Sequence, residues 1–100
     1  MVEQAEEGVI LSRQVTALGV DWHRRLDERR APRSAHRLAE LVLQFMALDT
    51  RMAERMLAVS TQTAYKAVAT LVEAGILAEI TGRPWGRMYL APELNAIFSQ

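Results

Sequence analysis

Apolar residues recur at helical spacing along most of this chain. Leu11, Val15, Leu18, Trp22 and Leu26 are separated by 4, 3, 4 and 4 residues, which places them on one helix face. Residues 2–30 contain no proline, so the pattern predicts one long N-terminal helix. Gly8 and Gly19 weaken that helix without ending it. Pro32 biases Ala31 away from helical angles. Ser34 is then placed to cap a second helix from Ala35 to about Met46, with Leu38, Leu41, Val42 and Phe45 on one side.

After a short extended piece at Ala47–Asp49, Asp49 or Thr50 caps a short helix through Leu57. Met52, Ala53 and Met56 are expected to face inward there. Leu57-Ala-Val-Ser60 reads as a tight turn, and Ser60 or Thr61 caps a helix to Ala74. Its expected buried stripe is Ala64, Val68, Leu71 and Val72. Gly75 falls where a left-handed C-terminal residue belongs. Ile76–Ile80 and Arg87–Leu90 read as strands joined by Thr81–Gly86, where glycine and proline supply turn geometry. Pro92 opens a last helix through Phe98.

This order predicts a mainly α fold, a winged helix-turn-helix with a three-helix core and a β-hairpin wing, preceded by a long N-terminal helix. We divide it into residues 1–33, the packing or dimerisation helix, and residues 34–100, the winged helix-turn-helix domain.

Composition narrows the function. The chain has 100 residues, enough for one small domain, and half are apolar. Its 12 basic residues, eleven Arg and one Lys, balance 12 acidic ones. That balance argues against a protein that holds nucleic acid by bulk charge alone. Arg nevertheless suits bidentate contact with phosphate or guanine. Cysteine is absent, which excludes disulfides and thiolate metal sites and fits a cytoplasmic protein. No apolar run reaches the ~20 residues of a membrane span, and the acidic start is unlike a signal peptide.

The outward face of the 61–74 helix presents Thr61, Gln62, Tyr65, Lys66, Ala69 and Thr70, and Thr63 joins its N-terminal half as a candidate DNA contact. In a helix-turn-helix, the N-terminal half of this face enters a major groove. Gln pairs bidentately with adenine, Thr touches phosphate or a thymine methyl, and Lys66 holds phosphate. Arg83, Trp85 and Arg87 crowd the hairpin loop, where Arg reaches a minor groove or flanking phosphate. Trp85 also has a plainer reading, folded back over the core. Arg51 begins the short helix, where backbone N–H groups favour an anion. His23 and His36 have no metal-ligand spacing, and no catalytic constellation can be assembled.

The stretches Ala58–Leu77 and Glu79–Leu90 resemble the C-terminal winged helix of bacterial Fic-family proteins. The resemblance rests on Glu73-Ala-Gly-Ile-Leu77, on Thr81-Gly-Arg83 followed by Gly86-Arg87, and on Ala91-Pro-Glu-Leu94. Leu18–Arg25 is similar to the helix that leaves the Fic catalytic core. Ala58 departs from the glycine common in such turns. The family's H-P-F-x-[D/E]-G-N-G-R motif, which transfers AMP from ATP to a protein hydroxyl, is absent here. The resemblance therefore implies a non-catalytic module, either a fragment or a shortened paralogue, with a role in transcription regulation.

Three readings follow. The first is binding of double-stranded DNA by the residues above, without a cofactor. The second is a protein-interaction module, in which Leu11, Val15, Leu18, Trp22 and Leu26 pack against a second copy or a Fic catalytic core; the plainer reading of the same stripe is that it packs on the winged helix as part of the chain's own core. The third is regulation of an AMP-transferring core with no DNA contact.

Overall fold

The computed structural model describes the backbone of residues 2–99 and the side chains of residues 12–99. Five helices and a small sheet make up the described residues. They are α1 (Val2–Glu28), α2 (Arg33–Phe45), β1 (Ala47–Asp49), α3 (Thr50–Leu57), α4 (Thr61–Glu73), β2 (Ala78–Glu79), β3 (Met88–Leu90) and α5 (Pro92–Phe98). The sheet is antiparallel in the order β1-β3-β2. Leu48 faces Tyr89 across one ladder, and Glu79 faces Tyr89 across the other. No helix among the described residues is long and apolar enough to cross a membrane.

One core joins every helix. Trp22 and Leu26 of α1 are fully buried in it, with Leu38 and Val42 of α2, Leu57 of α3, Leu71 of α4 and Leu94 of α5. Val15 and Leu18 pack against it, half-buried. The α1 stripe from Val15 onward is therefore covered by the chain's own core, and the side chain of Leu11 lies outside the described residues. Arg25 clamps the arrangement. Its guanidinium donates to both carboxylate oxygens of Glu93 on α5, at 2.7 and 2.8 Å, and its Nε donates to Asp21 at 2.9 Å. Paired, fork-shaped contacts of this kind are the stronger class of ion pair.

Alanines set how closely the helices approach. α4 buries Ala64, Ala67, Val68 and Leu71, an i, i+3, i+4, i+7 stripe. Val72, expected in this stripe, is instead exposed, and Ala67 takes its place. On α3 the buried residues are Ala53 and Leu57, so Met56 turns outward rather than inward. Phe45 is likewise 44% exposed rather than internal. It is the last residue of α2, and Met46, at φ 59°, turns the chain away into β1. Ser34 does not cap α2. Pro32, in an extended conformation, occupies the cap position, and its carbonyl accepts from Ala35 N at 3.0 Å, so Ser34 already lies inside the first turn.

Three helices end in the same way. The N–H groups of Ala31, Val59 and Ile76 donate back to the carbonyls of Leu26, Glu54 and Leu71, with Arg30, Ala58 and Gly75 left-handed in between. Leu77 N also donates to Leu71 O, at 3.2 Å. The amides of Ile76 and Leu77 thus serve the end of α4, and strand pairing begins only at Ala78 rather than at Ile76. Ala58 lacks the conformational freedom of glycine, yet it sits at φ 55°, ψ 49° with a β-carbon. That geometry costs a non-glycine residue about 1–2 kcal/mol, partly offset because alanine restricts the unfolded chain. Ala58→Gly is expected to raise stability by about 0.5–1 kcal/mol, read as a higher urea midpoint at unchanged slope.

Candidate nucleic-acid interface

Asp49, Ser60 and the loop between β2 and β3 shape one side of the molecule. The Asp49 carboxylate accepts from Met52 N at 2.8 Å and starts α3. Ser60 Oγ accepts from Thr63 N at 3.2 Å and starts α4. Only Ala58 and Val59 separate the end of α3 from that cap, so the two helices pack tightly against each other.

The loop is built around a carboxylate and a guanidinium. Glu79 accepts from the backbone N–H groups of Thr81 and Gly82 and from the Thr81 hydroxyl. The Thr81 hydroxyl, then the Gly82 amide, hold the Glu79 carboxyl below its ordinary range. Across the loop, Arg83 Nη2 donates to Gly86 O at 2.8 Å and Nε donates to Trp85 O at 3.0 Å. Its guanidinium lies 4.9 Å from the Trp85 ring centre, in cation–π contact. Arg87 Nε donates to Arg83 O at 2.7 Å, which leaves its terminal nitrogens free for another acceptor.

Between this loop, the start of α3 and the outward face of α4 lies a groove of about 400 Å³. Arg51, Tyr65, Trp85 and Arg87 line it. Trp85 is 71% exposed and Tyr65 59%, so Trp85 does not fold back over the core. Gln62 and Lys66 are exposed on α4, beside Tyr65 in sequence.

The sequence-derived candidates thus separate into groups. Arg51, Tyr65, Trp85 and Arg87 converge on the groove. Gln62 and Lys66 lie on the α4 face next to it. The hydroxyls of Thr61 and Thr63 are engaged within the fold, Thr61 donating to Glu54 at 2.9 Å and Thr63 accepting from Ser60 at 3.0 Å. Arg83 is turned inward on its own loop. Asp49, Thr50, Pro84, Gly86 and Tyr89 also line the groove, and sequence reasoning missed them as site residues. Asp49 carries a usable signal, because a helix-capping carboxylate next to Arg51 necessarily shares its surroundings. It also meets one of the amide donors that an anion at α3 would use.

Among the described residues, no group of three or more His, Asp or Glu side chains is arranged to hold a metal ion. No family model matches the chain, and no curated protein matches it significantly.

Proposed function

We propose that this chain is a DNA-binding module of the winged helix-turn-helix type, not catalytic by itself. In this reading α3 and α4 are the helix-turn-helix, β2 and β3 with their loop are the wing, and the module is of the kind that closes Fic-family proteins. The observation that carries it is the convergence of Arg51, Tyr65, Trp85 and Arg87 on one open groove beside the polar face of α4. The α4 face supplies groups for base edges, and Arg51, Lys66 and Arg87 supply positive charge for phosphates. Arg83 shapes the wing by binding its carbonyls and contacts DNA only secondarily.

Fluorescence anisotropy on random-sequence duplex DNA at several salt concentrations tests the proposal. Weak binding that falls as salt rises is expected, with a shallow slope because few phosphates are engaged. Absence of binding at low salt, or binding indifferent to salt, counts decisively against it. Gln62→Ala is expected to change sequence preference while leaving affinity for random DNA within about threefold. Removing the amide that reads an adenine costs ~1–3 kcal/mol only on sites that carry that base. A selection from a randomised duplex pool, compared between the two proteins, reads this out.

A further inference from the structure

We propose that the groove beside the wing is a pocket for one unpaired nucleotide of a DNA strand, so that the module prefers a duplex carrying a displaced base. The proposal rests on the DNA-binding function set out for the chain and adds to it. The polar face of α4 and the guanidinium ends of Arg51 and Arg87 serve base edges and phosphates. They leave two exposed aromatic rings and a carboxylate without a role. Trp85, Tyr65 and Asp49 all line the groove.

Trp85 stands on the wing, 71% exposed, yet it is held in place. The Arg83 guanidinium lies over its ring, 4.9 Å from the centre. That guanidinium is itself tied to the carbonyls of Trp85 and Gly86, at 3.0 and 2.8 Å. One face of the indole is thus covered by a fixed cation, and the other is left bare. A ring already held loses little conformational freedom when a base stacks on it. Tyr65 supplies a second aromatic ring from the α4 wall, 59% exposed. Bases inside a duplex have both faces covered by their neighbours. Aromatic side chains stack on a base only where its face is free. The groove, at about 400 Å³, is within the roughly 300–1,000 Å³ of sites that enclose one small ligand.

Polar groups suit the rest of a nucleotide. Arg51, at the start of α3, and Arg87, with its terminal nitrogens free, supply phosphate contacts on the same groove. Asp49 caps α3 through Oδ1, which accepts from Met52 N at 2.8 Å, and its other oxygen keeps its lone pairs. A carboxylate repels phosphate, but it accepts from the exocyclic amino group of a base, as Asp does from cytosine. Thymine has no such group. The pocket therefore favours an unpaired cytosine over an unpaired thymine. Tyr89, only 8% exposed, also lines the groove and backs it with a third, nearly buried ring.

Fluorescence anisotropy of the full chain tests the pocket. The probes are duplexes of one sequence, fully paired or carrying a single bulged cytosine or thymine. The bulged-cytosine duplex is expected to bind about tenfold more tightly than the paired one, the size of one base–aromatic stack. The bulged-thymine duplex is expected to gain less. Trp85→Ala should bring both bulged duplexes down to the paired one. The loop stays closed in that variant, because Arg83 bonds backbone carbonyls. Asp49→Asn still caps α3, since Asn caps a helix as well as Asp does. It should keep the preference for a bulge and lose the preference for cytosine over thymine. Equal affinity for paired and bulged duplexes, or a bulge preference that survives Trp85→Ala, overturns the pocket and leaves duplex binding standing. Discrimination of cytosine from thymine that survives Asp49→Asn overturns the role of Asp49. No binding to any of the duplexes overturns the DNA-binding function and the pocket together. Deoxycytidine monophosphate is the last probe, expected to compete only at millimolar concentration because it lacks the flanking strand. Displacement of the bulged duplex at micromolar concentration overturns the strand as occupant in favour of a free nucleotide.

Discussion

Trp22→Ala is expected to destabilise the chain by about 3–5 kcal/mol, the range for removing a fully buried tryptophan. Trp22 has no exposed surface, and it anchors α1 to a core shared by the other four helices. Its indole N–H also donates to Glu93 Oε1 at 3.4 Å, the carboxylate that Arg25 grips. Removing the ring leaves a large cavity and loosens that clamp together. A domain of this size has only about 5–15 kcal/mol in total, so the variant should lie near the edge of unfolding, with a urea midpoint far below the wild type. Trp22→Phe, which keeps most of the volume, should lose much less. Fluorescence supplies a control. In Trp85→Phe, the remaining emission comes from Trp22 and should be blue-shifted at every protein concentration. Emission characteristic of water-exposed tryptophan in dilute solution would mean that α1 packs on something other than its own core.

The second large effect concerns binding. Arg51→Ala, Lys66→Ala and Arg87→Gln combined are expected to reduce affinity for random duplex DNA by about 10³-fold at low salt. Each charge-assisted phosphate hydrogen bond contributes roughly 1.5 kcal/mol, or about tenfold. The log–log salt slope should become shallower by about 3, nearly one for each phosphate released. All three side chains are exposed, and Gln at 87 keeps a donor for the Arg83 carbonyl, so the circular dichroism spectrum and urea midpoint should be unchanged. Unchanged affinity in a folded triple variant would remove the groove from the DNA-binding reading. It would favour protein interaction through the exposed Tyr65 and Trp85. A single Arg83→Ala should behave differently. It disturbs the loop that its guanidinium holds, and so acts through Trp85 and Arg87 together.

Most of the element order is legible in the sequence because its signals are local. The spacing of apolar residues, the caps at Asp49 and Ser60, Gly75 and Pro92 each act within one or two turns of chain. The departures have tertiary causes. Val72 and Met56 have the apolar character of core residues, but the close approach allowed by Ala64, Ala67 and Ala53 rotates the buried stripe away from them. Ile76 and Leu77 look like strand residues, yet their amides are taken by the end of α4. Arg83 and Arg87 are indistinguishable in sequence. Only the closed loop makes one guanidinium turn inward while the other keeps its terminal nitrogens open. His23 and His36, whose Nδ1 atoms meet at 2.7 Å, look unrelated along the chain because a pairing across two antiparallel helices leaves no fixed spacing to find.

Local chemistry is enough to set the mainly helical class, the order of helices and hairpin, and the polar face of α4 beginning at its Ser60 cap. Hydrophobic periodicity, capping and turn chemistry are short-range effects, and each is written into a few neighbouring residues. Three-dimensional packing is what makes α1 close the core from Val15 onward, joins Arg25 to Glu93 across 68 positions of chain, and brings Arg51, Tyr65, Trp85 and Arg87 to one groove. Those arrangements depend on how closely and at what register the helices meet. That fit is set by the combined shape of many side chains, which no local pattern contains.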